Sequence, residues 1–201
     1  MEPTIRPARP DELDRVASLI ARSFADEPFM AWVAGGDPAR LGRFARLAVR
    51  DVAGEVLVED GLRAAALVVP PGGLETGPLD QLRMLPALAR SAGLRRLPSV
   101  LRGLLRLERA HPPGPHATLI ALGVEPDCQA RGLGSALLRA VEARAGVPVY
   151  LETGSGATRA GCERRGYAVL GRVGLPAGGP ALWTLLSPAM SSAGARGHVE
   201  T

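Results

Sequence analysis

Lysine is absent from the chain of 201 residues, aromatic side chains make up only 3% of it, and cysteine occurs only at Cys128 and Cys162. Each shortage excludes something. Because all 24 basic residues are arginine and Ala, Gly and Pro abound, the net charge of +4 and the pI near 10.0 reflect compositional bias as readily as an anionic partner. The scarcity of stacking aromatics argues against nucleic acid, whose single strands are held by a basic face interleaved with flat rings. Two distant cysteines with no CxxC and no Cys/His cluster suggest neither a zinc site nor a disulfide, so no metal is expected and both thiols are expected free. No apolar run approaches the roughly 20 residues of a membrane span. The segment Met1-Glu2-Pro3-Thr4-Ile5-Arg6 lacks the basic start and apolar stretch of a secretory signal, so the expected compartment is the cytoplasm.

What is present is an α/β pattern long enough for one domain, expected over residues 1–186, with the polar tail 187–201 expected to be disordered. Thr4 to Arg6 reads as a strand. Asp11 is the expected N-cap of a helix from Glu12 to about Phe24, whose Leu13, Val16, Ile20 and Phe24 form one apolar stripe. A second helix is expected from Pro38 to Val52. Glu55–Glu59 and Leu62–Val69 flank Asp60-Gly61, a pairing that predicts a hairpin closed by a type I′ turn. A basic, Leu-rich insert at about 78–110 reads as two helices split near Gly93. Its plainer reading is a pair of helices laid on the domain, and its sharper one a lid or a membrane-surface element.

Ala117 to Val124 is an apolar run of strand length. After the turn Glu125–Asp127, Gly132 to Ala145 has Leu133, Leu137 and Val141 on one helical face and Gly146 as C-cap. The strand Val147 to Thr153 follows directly, so strand, helix and strand form a unit with parallel strands. A short helix Thr158–Arg165, a strand Tyr167–Leu175 and a last strand Ala181–Leu186 complete the domain.

The chemistry is concentrated at Leu122-Gly123-Val124 and Gln129-Ala130-Arg131-Gly132-Leu133-Gly134-Ser135. A helix start presents unpaired N–H groups and the positive end of the helix dipole, and glycines there let a diphosphate approach. The segment is not a Rossmann fingerprint, since its order is Arg-Gly-x-Gly. It is not a P-loop either, since it lacks Gly-Lys-Ser/Thr.

This segment resembles motif A of the GNAT acetyltransferases, Gln/Arg-x-x-Gly-x-Gly/Ala after a strand ending in a Leu-Gly-Val-like triplet. The likeness extends through Val147–Thr153 and Cys162-Glu-Arg-Arg-Gly-Tyr167. The resemblance implies a mixed, mostly antiparallel sheet flanked by helices, in which the parallel strands Ala117–Val124 and Val147–Thr153 splay apart. It implies acetyl-CoA as donor, with pantetheine near Leu122, Gly123 and Val124, the diphosphate on amides from Arg131 to Ser135, and Thr158 where an asparagine often contacts the cofactor. It further implies transfer to an amine of a small molecule or peptide, with an oxyanion held by an N–H such as that of Val124. Cys162 stands where relatives carry a tyrosine thought to protonate the thiolate, which makes it the candidate acid or else packing filler. His116 is the first candidate base, with Glu152, Glu55 and Glu59 behind it. The alternative is a catalytically degenerate acyl-CoA-binding or regulatory protein of the same fold. Homodimers are common among similar folds, and Trp183 faces either a core or a partner.

Overall fold

The computed structural model describes residues 3–73 and 78–188, with side chains of 78–83 left aside. Seven strands form one sheet in the order β1-β2-β3-β4-β5-β7-β6. They are β1 (Ile5–Pro7), β2 (Glu55–Glu59), β3 (Ala64–Val69), β4 (Ala117–Val124), β5 (Val149–Thr153), β6 (Ala168–Gly174) and β7 (Ala181–Leu186). All neighbours are antiparallel except β4 and β5, which pair in parallel only at Ala117–Val149, Thr118–Tyr150 and Leu119–Leu151. Beyond Leu119 and Leu151 the two strands part. On its other edge β4 stays paired with β3 as far as Val124, with a bulge opposite Leu67/Val68.

The helices are α1 (Leu13–Ser23), α2 (Pro28–Ala34), α3 (Pro38–Leu47), α4 (Pro78–Ala92), α5 (Leu97–Glu108), α6 (Leu133–Ala145) and α7 (Gly156–Arg164). One sheet face packs against α6 and α7 through Leu57, Leu119, Leu137, Val149, Leu151, Cys162 and Leu185. The other is covered in two parts. Val16, Leu19 and Ile20 of α1 and Ala45 of α3 lie on Val58, Ala65, Leu67 and Ala121. Trp32 of α2, Leu88 of α4 and Val100 and Leu107 of α5 lie on Leu175 and Leu182. With helices on both faces, β3 is buried along its whole length, which suits its continuous apolar run.

The insert is thus a pair of packed helices. A β-carbon on Gly103 of α5 would stand 2.5 Å from Cη2 of Trp32, so only glycine lets α5 settle this closely on α2. Residues 74–77, and all of the tail except 187 and 188, lie outside the described residues.

Three local expectations change, and one helix had none. Asp11 does not cap α1: Pro10–Glu12 forms a 3-10 turn, and the Glu12 carboxylate accepts the Arg9 N–H at 2.8 Å and the Arg6 guanidinium at 2.7 Å. The helix expected over Pro38–Val52 leaves α-geometry at Ala48 and closes with one π-turn, Ala48–Val52. The hairpin has no two-residue turn. Leu62, at φ 56°, takes the left-handed conformation, and β3 begins at Ala64 because the loop wraps the Glu59 carboxylate, which accepts the Arg63 N–H at 3.2 Å. Finally, α2 went unread. Its start is written in Glu27-Pro28, where the Glu27 side chain caps the Met30 N–H at 2.9 Å and proline occupies a first-turn position that needs no donor.

Candidate active site

The open end of β4 is built by register. The Glu125 N–H donates to the Arg63 carbonyl at 2.8 Å, so strand alternation turns the N–H groups of Leu122 and Val124 away from β3 and into the gap left by β5. The Val124 carbonyl accepts from Ser23 Oγ at 3.0 Å and from Gln129 Nε2 at 3.3 Å. Gln129 therefore ties the following loop to the strand end. Gly123 is glycine for packing: a β-carbon there would meet Ser23 Oγ at 2.9 Å and Ile20 Cδ1 at 3.0 Å.

After the 3-10 turn Pro126–Cys128 the chain passes through two left-handed residues, Ala130 at φ 59° and Gly132 at φ 81°. An alanine in that conformation is strained by roughly 1–2 kcal/mol, a cost that tends to accumulate at ligand-binding loops. Gly132 is the N-cap of α6 and contributes no side-chain cap, so the first amides of the helix meet the cleft without a side-chain partner. Successive N–H groups in such a loop form a concave anion site.

These features line one cleft of about 490 Å³. Leu122, Gly123, Val124, Gln129, Ala130, Gly132, Leu133, Gly134, Ser135 and Thr158 all border it, together with Ser23, Phe24, Glu27, Cys128 and Ser155, which sequence reasoning did not single out. Arg131 is exposed beside them. Ser155 caps α7, accepting the Thr158 N–H at 3.2 Å, so Thr158 is brought to the rim by its helix.

Glu27 is the carboxylate of this cleft. Burial pushes its pKa up against the pull of the Met30 and Phe29 N–H groups, and no arginine pairs with it among the described residues. Its Oε1 lies 3.2 Å from the place a β-carbon on Gly154 would occupy, next to the end of β5.

Residues 89–167 match the model described as the Acetyltransferase (GNAT) family. The structure described as histone acetyltransferase HPA2 and related acetyltransferase from Corynebacterium glutamicum superposes with a TM-score of 0.71 at 26% identity, over 96% of this chain and 99% of that one. The fold is that of the GNAT acetyltransferases. A polyamine N-acetyltransferase of Drosophila melanogaster has the same fold, with a TM-score of 0.65 at 20% identity over 91% and 98% of the two chains. So has a mosquito protein described as arylalkylamine N-acetyltransferase like 5b, at 0.65 and 19% over 92% and 98%.

On this GNAT fold the two side chains proposed from sequence for proton transfer do not line the cleft. Cys162 is 4% exposed in the core beneath α6, and burial pushes its thiol pKa up. His116 sits just before β4, six residues from Leu122, which at the strand rise is roughly 20 Å away. There it meets His111, Nε2 to Nδ1 at 2.9 Å, and holds the Gly114 carbonyl through Nδ1 at 2.9 Å. Burial and the neighbouring imidazole lower the His111 pKa.

Of the weaker candidates, Glu55 and Glu59 are consumed by ion pairs with Arg144 and Arg63, and the Arg63 hydrogen bonds lower the Glu59 pKa. Glu152 differs. It is the first β5 residue past the last β4 pair, its Oε1 accepts the Tyr150 hydroxyl at 2.9 Å, and burial pushes its pKa up to about 7. No three His, Cys, Asp or Glu side chains converge as metal ligands among the described residues, and no helix there is long and apolar enough to cross a membrane.

Proposed function

We propose that the protein is an N-acetyltransferase that moves the acetyl group of acetyl-CoA to an amine of a small molecule or peptide. The observation that carries this reading is the meeting, in one cleft, of the open edge of β4, the uncapped start of α6 and a carboxylate, Glu27, with no ionic partner among the described residues.

The residues present fit acetyl-CoA. The amides from Arg131 to Ser135, approached through the left-handed Ala130 and Gly132, suit a diphosphate, with the Arg131 guanidinium beside them. The outward N–H groups of Leu122 and Val124 suit the amide groups of an extended pantetheine arm. When bound, acetyl-CoA supplies a thioester carbonyl as acyl donor.

The chain's own part is to hold, polarise and deprotonate. An N–H of the open β4 edge stabilises the oxyanion as the amine adds. Glu27 takes the amine's proton, directly or through one water, and its raised pKa brings it nearer the range where a carboxylate works as a base around neutrality. With Cys162 buried, water at the cleft mouth is the source of the proton for the departing thiolate. The fold and the polyamine acceptor named for one of the similar structures support the same reading.

The test is thiol release from acetyl-CoA with a panel of amines, alongside a thermal-shift titration of acetyl-CoA. Release with any amine is expected, and Glu27→Gln is expected to lower kcat by about a hundredfold or more while keeping the thermal shift. A shift without release from any amine would favour the binding-only protein. The absence of both shift and release would overturn the reading.

A further inference from the structure

A second hollow, of about 210 Å³, lies between α3 and the insert helix α4, and it shares no lining residue with the cleft at the β4 edge. Its walls are basic. Arg43 and Arg46 of α3, and Arg50 of the π-turn that closes this helix, stand at spacings of three and four, and Arg90 of α4 comes from across the seam. Leu47 and Ser91 line the hollow from the buried side. The Ser91 hydroxyl already donates to the Ala87 carbonyl at 2.9 Å, so the polar side chains left at the hollow are four guanidinium groups and one carboxylate, Asp51.

Two of the arginines have partners within the fold. Arg43 Nε donates to the Arg90 carbonyl at 3.0 Å, serving the last turn of α4, and Arg50 pairs with Asp14 at 3.0 Å. The side chains of Arg46, Arg90 and Asp51 form no hydrogen bond or ion pair among the described residues. With Asp14 and Asp51 set against the four arginines, the hollow keeps an excess of two positive charges. Like charges at these helical spacings repel, and a dianion placed among them reverses the sign. Each guanidinium offers paired N–H donors that match two oxygens of a phosphate, and Arg43 keeps both of its Nη groups for this use. The room, equal to about seven waters at roughly 30 Å³ each, suits one or two phosphoryl groups. A π-turn, which here brings Arg50 and Asp51 to the hollow, is a device that recurs at functional sites.

We infer that this hollow is a binding site for a phosphate or diphosphate group, held by Arg43, Arg46 and Arg90 and distinct from the acetyl-CoA cleft. The bound anion joins α3 of the domain to α4 of the insert, so its occupancy fastens the insert in place. The group belongs either to a small soluble anion or to a lipid headgroup, since both present the same oxygens.

The test follows the melting temperature during titration with inorganic phosphate and diphosphate at constant ionic strength, with coenzyme A at saturation so that the loop before α6 is already occupied. Both anions are expected to raise the melting temperature saturably, diphosphate at the lower concentration. Arg46→Ala combined with Arg90→Ala is expected to weaken diphosphate binding by about a hundredfold, about tenfold for each charge-assisted contact, while the shift given by coenzyme A itself stays. Arg102→Ala combined with Arg109→Ala removes equal charge from exposed positions at α5 and its C-cap, and is expected to change diphosphate binding by less than about twofold. The absence of a saturable shift in the unaltered protein, or the same effect from both pairs of substitutions, would overturn the site. Vesicles of phosphatidylcholine with and without phosphatidic acid then identify the source. Pelleting with phosphatidic acid that diphosphate reverses assigns the phosphate to a lipid headgroup, and no pelleting assigns it to a soluble anion.

Discussion

Oε1 of Glu27 lies 3.2 Å from the point a β-carbon would occupy on Gly154, and Cδ2 of Leu182 lies 3.4 Å from that same point. A side chain on the α1–α2 connection thus packs so closely on the end of β5 that a β-carbon at 154 would have to push its carboxylate aside by a few tenths of an ångström. The backbone at 154 is outside the left-handed region, so an alanine there is conformationally tolerated and its effect is one of space. Gly154→Ala is therefore expected to keep the fold and to lower kcat/KM by about ten- to a hundredfold by displacing the carboxylate. Steady-state kinetics with an unchanged melting curve is the check. Unaltered kinetics would show that the carboxylate yields to the β-carbon without loss of its position in the cleft.

Glu152 gives a pH signature independent of activity. Its carboxyl is raised from the ordinary 4.5 to about 7 by burial, so between these values the folded protein holds a proton that the unfolded chain releases. Stability contributed by this group is therefore lost as pH rises through that window, by on the order of 1–3 kcal/mol. Melting temperatures of Glu152→Gln and the unaltered protein, measured from pH 4.5 to 7.5, should show a smaller decline with pH in the variant. Parallel curves would mean that Glu152 titrates like an exposed carboxylate.

Gly132 and Ala130 share a left-handed backbone but should respond in opposite directions. A β-carbon on Gly132 would touch nothing within 4 Å, so the cost of Gly132→Ala is conformational, about 1 kcal/mol. Ala130→Gly relieves strain at φ 59° and should be neutral or stabilising, against the usual loss of roughly 0.5–1 kcal/mol on introducing glycine. Chemical denaturation decides this. Acetyl-CoA titration should further show weaker binding for Gly132→Ala, since the loop's amides lose their preferred alignment.

Cys162 is placed to serve packing. Cys162→Ala is expected to cost about 1–2 kcal/mol of stability and to leave kcat within about twofold. A kcat loss above tenfold in a variant that melts normally would restore the thiol as proton donor.

Much of this protein was legible along the chain because its signals are local. Apolar spacing marks α1 and α6, and two short apolar runs flanking Asp60-Gly61 mark β2 and β3. The order of strand, Gln-Ala-Arg-Gly-Leu-Gly loop and helix marks a helix start suited to an anion, whose requirements, left-handed backbone and open amides, lie within a few consecutive residues. The short α2 was missed because seven residues with apolar side chains on every side show no stripe, and only the Glu27-Pro28 cap announces it.

The acceptor side had no such local code. Whether Glu27, Glu55, Glu59, Glu152 or His116 faces the reaction depends on which charges the fold brings beside each. Arg63 and Arg144 neutralise two of them, the length of β4 removes a third, and Glu27 and Glu152 are half-buried with no cationic partner among the described residues. The sequence by itself determined the elements and the donor loop, which depend on near neighbours. Tertiary structure alone decided which carboxylates are desolvated and left clear of the ion pairs, because desolvation and charge pairing are properties of residues far apart in the chain that meet only in the folded protein.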